Sequence, residues 1–91
     1  MDLFTWGRAD EVERRIRIRL SVWAYAYEFT DKPLVDDATF DALAYSSRPH
    51  IITGRFDEWW KAEFQPDTGL WIHSHPDLAG IRRYYDLWVK G

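Results

Sequence analysis

Residues 9–29 read Ala-Asp-Glu-Val-Glu-Arg-Arg-Ile-Arg-Ile-Arg-Leu-Ser-Val-Trp-Ala-Tyr-Ala-Tyr-Glu-Phe, and the spacing of apolar residues in this stretch decides the fold. Apolar side chains recur every three or four residues, which places them on one face of an α-helix. This first stripe consists of Val12, Ile16, Leu20, Trp23 and Tyr27. A second stripe begins halfway along and consists of Ile18, Val22, Tyr25 and Phe29. We therefore expect a central helix whose C-terminal half is covered on two sides.

Four arginines stand in the first half of this helix, at positions 14, 15, 17 and 19. The acidic residues Asp10, Glu11 and Glu13 precede the first three arginines by four residues each. Acid before base at this spacing stabilises a helix by about 0.2–0.5 kcal/mol per pair. We therefore interpret the arginines as a salt-bridged solvent face, with a phosphate-binding patch as the alternative.

Three more helices follow from local signals. Asp36 is a good N-cap for a second helix, which Ser46-Ser47-Arg48-Pro49 ends. Thr53 is the expected N-cap of a third helix over about 54–64, and Pro76 suits the first position of a fourth. The turn at 66–69 precedes Leu70-Trp71-Ile72, which fits either a short extended piece or a helical turn. The sequence predicts an all-α single domain over residues 1–91, of about four helices, with an antiparallel helix pair at the N-terminus.

Composition excludes several classes of protein. The 91 residues include no cysteine, so neither a disulfide framework nor a cysteine-based zinc site is expected, and a reducing cytoplasm suits the chain. The longest apolar run, Val22 to Tyr27, is far shorter than the roughly 20 residues that cross a bilayer, so we expect no membrane association. A net charge of −3 makes nucleic acid an unfavourable partner.

Residues 25–43 read Tyr-Ala-Tyr-Glu-Phe-Thr-Asp-Lys-Pro-Leu-Val-Asp-Asp-Ala-Thr-Phe-Asp-Ala-Leu. This segment resembles the N-terminal Ia domain of bacterial NAD-dependent DNA ligases. That family has an aromatic-rich helix end followed by Asp-x-Pro-x-[Ile/Val]-x-Asp-Ala-x-Tyr-Asp-x-Leu. The matching residues are Tyr25, Tyr27, Asp31, Pro33, Asp37, Ala38, Asp41 and Leu43. Together with the ending at 68–76, the segment also looks similar to small phage-encoded ligase-related proteins.

The resemblance implies a binding site for the nicotinamide mononucleotide half of NAD. Tyr27 matches the tyrosine that packs on the nicotinamide ring, and Asp37 and Asp41 match the aspartates that face it. Phe40 stands where the family has a tyrosine, and Glu28 stands where it has a histidine that contacts phosphate. The alternative is that such a domain was retained only as a scaffold. Tyr25, Tyr27 and Phe40 would then belong to the core, Asp36 and Asp37 would cap a helix, and Asp41 would be a solvated charge.

Glu28 has a predictable consequence for ligand choice. A carboxylate about 4 Å from a phosphate would cost on the order of 1–4 kcal/mol. We therefore expect weak or absent binding of the mononucleotide, unless Glu28 points away from the phosphate or a neighbour such as Arg48 or Arg55 neutralises it.

Catalytic signals are missing from the sequence. None of Lys32, Lys61 and Lys90 stands in the Lys-x-Asp-Gly setting of a ligase nucleophile. His73 and His75 would need Asp67 or Asp77 to complete a metal site. The simpler interpretation is that His75 precedes Pro76 at a helix start and that His73 is a surface residue. We expect a protein that is not an enzyme and requires neither metal nor cofactor.

Three functions follow, in order of preference. The first is a non-catalytic protein that binds NAD or nicotinamide mononucleotide through Tyr27, Glu28, Asp37, Phe40 and Asp41, as the resemblance implies. The second is an interaction module that binds or inhibits a host protein through exposed aromatic residues, because tryptophan is frequent in interface hot spots. The candidate tryptophans are Trp59, Trp71 and Trp88. Nucleotide hydrolysis by the acidic cluster is third, since it lacks a convincing nucleophile or base.

Overall fold

The first helix of the computed structural model, α1, spans Ala9–Thr30, within one residue of the predicted range. The structure describes residues 8–90, so residues 1–7 and 91 of the expected domain lie outside it. Leu20 and Val22, one from each apolar stripe, are fully buried. Both stripes are therefore buried in the middle of α1, whereas their last members, Tyr27 and Phe29, are exposed. The helix ends where Asp31 adopts a left-handed conformation, just before Lys32-Pro33.

The second helix, α2, spans Asp37–Ser46 and has Asp36 as its N-cap, as predicted. The Asp36 carboxylate accepts a hydrogen bond from the Thr39 N–H at 2.8 Å. The hydrogen bonds from Thr39 also lower the pKa of Asp36. The helix packs against α1, which forms the expected helix pair.

Replacing Asp36 with alanine is expected to lower the free energy of unfolding, because the Thr39 N–H would lose its acceptor at the helix start. Urea denaturation of the variant measures the loss. Asp36→Asn keeps a side-chain acceptor and serves as the control, with most of the stability retained. Equal losses in the two variants would show that the cap hydrogen bond is not what stabilises α2.

The third helix, α3, spans Asp57–Glu63 and begins about three residues later than predicted. Thr53 is not its N-cap. Instead, the carboxylate of Asp57 accepts hydrogen bonds from the Thr53 N–H and hydroxyl and from the Gly54 N–H. These bonds hold residues 53–56 in a tight loop, and Phe56 enters the helix with a left-handed backbone at φ 57°.

Two further elements complete the fold. Leu70–Ser74 forms a 3₁₀ helix, which settles the choice between an extended piece and a helical turn. The last helix, α4, spans Leu78–Lys90 and begins two residues after Pro76. Its start follows Asp77, whose carboxylate accepts from the Gly80 N–H at 3.0 Å. The part of the chain that the structure describes is all-α, as predicted.

The core lies around α1, which contacts α2, the 3₁₀ helix and α4. Its buried hydrophobic residues are Ile16, Leu20, Val22, Ala24, Ala44, Trp60, Trp71, Ile72 and Ile81. Trp60 stacks on Phe64 with ring centroids 4.3 Å apart and meets Trp71 edge-on at 5.1 Å. Large aromatic rings therefore fill the space between α3 and the 3₁₀ helix. In the part of the chain described, none of the helices combines the length and apolar character needed to cross a bilayer.

The interpretation of the arginines as a solvent face is wrong for Arg17. Its predicted pair with Glu13 forms, with Nε 2.7 Å from Oε2, but both side chains are buried. The loop between α2 and α3 closes over them, and Arg17 also donates to Asp57 at 2.8 Å and to the Ile51 carbonyl oxygen at 2.9 Å. Arg14 donates to the carbonyl oxygen of Thr53 rather than pairing with an acid of α1.

Candidate functional site

The five residues that the motif predicts as ligand-binding line one open cleft of about 290 Å³. Tyr27 and Glu28 lie in the last turns of α1, whereas Asp37, Phe40 and Asp41 lie in the first turns of α2. The spacing of three and four residues on α2 directs its three side chains to one helix face. The structure therefore brings together all five residues.

The turn at 66–69 closes one side of this cleft. A Cβ atom at Gly69 would lie 3.3 Å from the Cβ atom of Ala24, so a glycine lets the turn approach α1 this closely. As a result, Asp67 and Thr68 also line the cleft, together with Trp23. Sequence reasoning missed these three residues. The Pro-Asp-Thr-Gly turn was recognisable, but nothing in the sequence placed it beside α1.

The aromatic wall of the cleft is accessible. Tyr27 is 54% exposed, which excludes the interpretation of its ring as part of the core. Phe40 is half-buried and packs against the core with part of its ring. Tyr25 lies elsewhere, stacked on Phe29 with ring centroids 4.9 Å apart and tilted against Tyr85. Tyr27 and Phe40 therefore provide the ring surfaces that a flat ligand would meet.

The cleft is acidic. Its lining includes the carboxylates of Glu28, Asp37, Asp41 and Asp67, and within residues 8–90 no lysine, arginine or histidine lines it. Because the local charge is negative and the walls are aromatic, this arrangement favours a flat cation and disfavours a phosphate.

Glu28 has a different partner from the one expected. Its Oε1 lies 2.8 Å from Nε2 of His73, which the 3₁₀ helix carries to the end of α1. The His73 ring also packs against Phe29 at 4.7 Å between centroids. Neither Arg48 nor Arg55, the two residues expected to neutralise Glu28, pairs with it. The guanidinium of Arg55 lies over the ring of Phe56, and the backbone N–H of Arg48 donates a hydrogen bond to Glu13. The hydrogen-bond partner of Glu28 is therefore a histidine and not an arginine.

The two histidines considered as metal ligands have separate partners. His73 pairs with Glu28, and Nδ1 of His75 accepts a hydrogen bond from the Asp77 N–H at 2.9 Å. Among the residues that the structure describes, no three histidine, aspartate or glutamate side chains gather as a metal site would require.

The tryptophans expected to form an interaction surface differ in exposure. Trp88 is 41% exposed, with the guanidinium of Arg19 above its ring at 4.7 Å. Trp59 is half-buried and donates to the Ser74 hydroxyl at 3.3 Å. Trp71 is buried, so the expectation that it is exposed is wrong. The 3₁₀ helix turns its ring inward against Trp60 and Phe64.

The likeness to ligase Ia domains rests on residues 25–43, which supply the end of α1, the connection to α2 and the first turns of α2. All five residues carried over from that motif belong to this stretch. Comparison of the chain with protein-family models, with curated proteins and with solved structures finds no match.

Proposed function

We propose that this protein is a non-catalytic binding protein for a nicotinamide-containing nucleotide, acting as a phage accessory protein in the cytoplasm of a bacterial host. The ligand, NAD or nicotinamide mononucleotide or a part of either, is bound rather than consumed, and no other cofactor is required. The observation that carries the proposal is that all five residues carried over from the ligase-like motif line one accessible cleft.

The chemistry of the cleft supports this ligand class. Oxidised nicotinamide is a flat cationic ring, and an aromatic face such as that of Tyr27 attracts a cation by about 0.5–2 kcal/mol. The carboxylates of Asp37 and Asp41 lie on the same wall as Phe40 and add electrostatic attraction. A cation between them would also relieve the repulsion between two acids spaced four residues apart on one helix.

The size of the cleft supports a small part of such a ligand as its occupant. At about 290 Å³ the cleft lies at the lower end of the range of about 300–1,000 Å³ for small-molecule sites. It suits a nicotinamide ring with its ribose rather than a whole dinucleotide. The remaining parts of a larger ligand would extend out of the cleft.

Titration with nicotinamide riboside, nicotinamide mononucleotide and NAD tests the proposal. We expect the riboside to bind and to raise the melting temperature, because ligand at 100 times its Kd adds about 2.7 kcal/mol of stability. Asp41→Asn should weaken binding about fivefold or more, since it removes a charge close to the cation. Glu63→Gln, an exposed acid of α3 away from the cleft, is the matched control. No melting shift with any of the three ligands would contradict the proposal.

The same titration tests the role of Glu28. We expect wild-type protein to bind the mononucleotide more weakly than the riboside, because the Glu28 carboxylate repels the phosphate. Glu28→Gln should bring the two affinities closer together. Equal affinities for both ligands in wild type and in the variant would show that Glu28 does not meet the phosphate.

An interaction module is the second candidate function. The last turns of α4 carry the exposed apolar side chains of Tyr84, Leu87, Trp88 and Val89, and none of these residues lines the acidic cleft. Exposed apolar patches of this kind often contact other proteins. Capture of a partner that Trp88→Ser abolishes and Asp41→Asn does not affect would favour this function over ligand binding.

A further inference from the structure

A second cleft, of about 300 Å³, lies along the first half of α1. Its walls come from α1, the loop before α3, α3 itself and the start of α4. The acidic cleft involves the other half of α1, and the two clefts have no residue in common. The function proposed above makes no use of the second cleft.

Positive charge distinguishes the second cleft from the first. Arg14 and Arg55 both line it, and within residues 8–90 neither forms an ion pair. The Arg14 side chain donates to the neutral carbonyl oxygen of Thr53, and the Arg55 guanidinium lies 5.1 Å from the centroid of the Phe56 ring. Arg17 also lines the cleft, but its charge is already compensated by its two carboxylate partners.

One acidic residue, Asp77, is present among the lining residues. Its Oδ1 accepts a hydrogen bond from the Gly80 N–H at the start of α4. A Cβ atom at Gly80 would lie only 2.3 Å from the other carboxylate oxygen, so this carboxylate is packed against the helix backbone. Asp77 therefore already has a structural role in the cleft wall.

His75 supplies a fixed hydrogen-bond donor. Its Nδ1 accepts from the Asp77 N–H, so the proton of the neutral ring is on Nε2. Burial lowers the pKa of His75, the negative charge of Asp77 opposes this, and the positive charge of Arg55 lowers the pKa further. The ring is held edge-on between Phe56, at 5.4 Å, and Trp59, at 4.8 Å.

Aromatic surfaces complete the second cleft. The side chain of Phe56 is exposed. Its backbone is left-handed, a conformation that residues other than glycine rarely adopt. The hydrogen bonds that Asp57 makes with Thr53 and Gly54 stabilise this loop. Trp59 and Tyr84 provide ring surfaces on the other elements that line the cleft.

We propose that the second cleft binds a small molecule in which an oxyanion, a phosphate or a carboxylate, is attached to a flat ring. Two guanidinium groups recognise the oxyanion, since arginine matches carboxylate and phosphate in a forked geometry. The ring packs against the aromatic side chains, as flat rings do in protein interiors. This site is independent of the nicotinamide cleft and has the opposite charge.

Adenosine 5′-monophosphate is the first probe, and quenching of tryptophan fluorescence together with calorimetry measures its binding. We expect the monophosphate to bind at least about tenfold more tightly than adenosine or inorganic phosphate, because only the monophosphate carries both ring and oxyanion. Benzoate is the carboxylate probe, and competition between the two ligands identifies the preferred oxyanion. Equal affinities for the monophosphate and adenosine would overturn the proposal.

Arg14→Gln and Arg55→Gln are each expected to weaken binding about fivefold to tenfold, as loss of a charge-assisted hydrogen bond would. Both side chains are exposed, so the variants should fold, and a thermal melt checks this. Arg82→Gln, an exposed arginine of α4 that does not line this cleft, is the matched control. Unchanged binding in both cleft variants would overturn the proposal, whatever happens at the nicotinamide cleft.

Discussion

Replacing Arg17 with methionine is expected to lower the free energy of unfolding by about 3–5 kcal/mol. The side chain of Glu13 is only 2% exposed and lies 2.7 Å from Arg17 Nε, so the variant leaves a buried carboxylate without its cation. The Ser47 hydroxyl and the Arg48 N–H also donate to Glu13, but neither supplies a positive charge. Small domains have a free energy of unfolding of about 5–15 kcal/mol, so a loss of this size is a large fraction of the total.

Urea denaturation monitored by circular dichroism measures this loss. Arg82→Met removes an exposed arginine of α4 and is the control, with a change within about 0.5 kcal/mol. The double variant Glu13→Leu with Arg17→Met should be more stable than Arg17→Met alone, because an apolar residue then replaces the unpaired buried carboxylate. A loss below about 1 kcal/mol in Arg17→Met, typical of exposed pairs, would show that water reaches the ion pair.

Replacing Asp57 with asparagine is expected to cost about 2 kcal/mol at neutral pH. Partial burial alone would raise the pKa of Asp57, but the hydrogen bonds from Thr53, Gly54 and Arg17 outweigh it and lower the pKa from 3.8 to about 2. Each unit of pKa shift corresponds to at most about 1.4 kcal/mol of stability, and water around this partly exposed carboxylate screens part of that contribution. The folded protein therefore favours the ionised carboxylate of Asp57, and asparagine lacks its negative charge.

The sign of this shift predicts a pH dependence. Because the pKa of Asp57 is lower in the folded state, its contribution is fully present above about pH 4 and is lost as the pH falls through about 2. Stability measured between pH 7 and pH 2 should fall less steeply for Asp57→Asn than for wild type. Glu58→Gln, an exposed acid in the same helix, is the control and should follow the wild-type curve. Parallel stability curves for wild type and Asp57→Asn would show that Asp57 does not contribute to the pH dependence of stability.

The Arg17 and Asp57 substitutions should not be additive. Arg17 Nη1 donates to Asp57 at 2.8 Å, so the two side chains belong to one hydrogen-bonded network that fastens the loop between α2 and α3 to α1. A variant carrying both substitutions should lose less stability than the sum of the two single losses, as is usual for residues in contact.

Local sequence signals predicted the first two helices well. The apolar periodicity of α1, the proline after it and the Asp36 cap all act within a few residues, so the chain reveals them without tertiary information. The predicted start of α3 at residue 54 is wrong, and the reason is also local. Thr53 looks like a cap, but the Asp57 carboxylate takes its N–H and hydroxyl and holds a loop there.

For the candidate site too, some features follow from local sequence and others from tertiary packing. Sequence determined that Tyr27 and Glu28 end one helix while Asp37, Phe40 and Asp41 share a face of the next, because helical spacing fixes these relations. Only the tertiary structure decided that these residues line an open acidic cleft and that His73 meets Glu28. It also decided that Arg17 is buried, since a loop more than thirty residues away in sequence closes over it. Helix periodicity is a property of neighbours along the chain, whereas burial and charge compensation depend on which distant segments pack together.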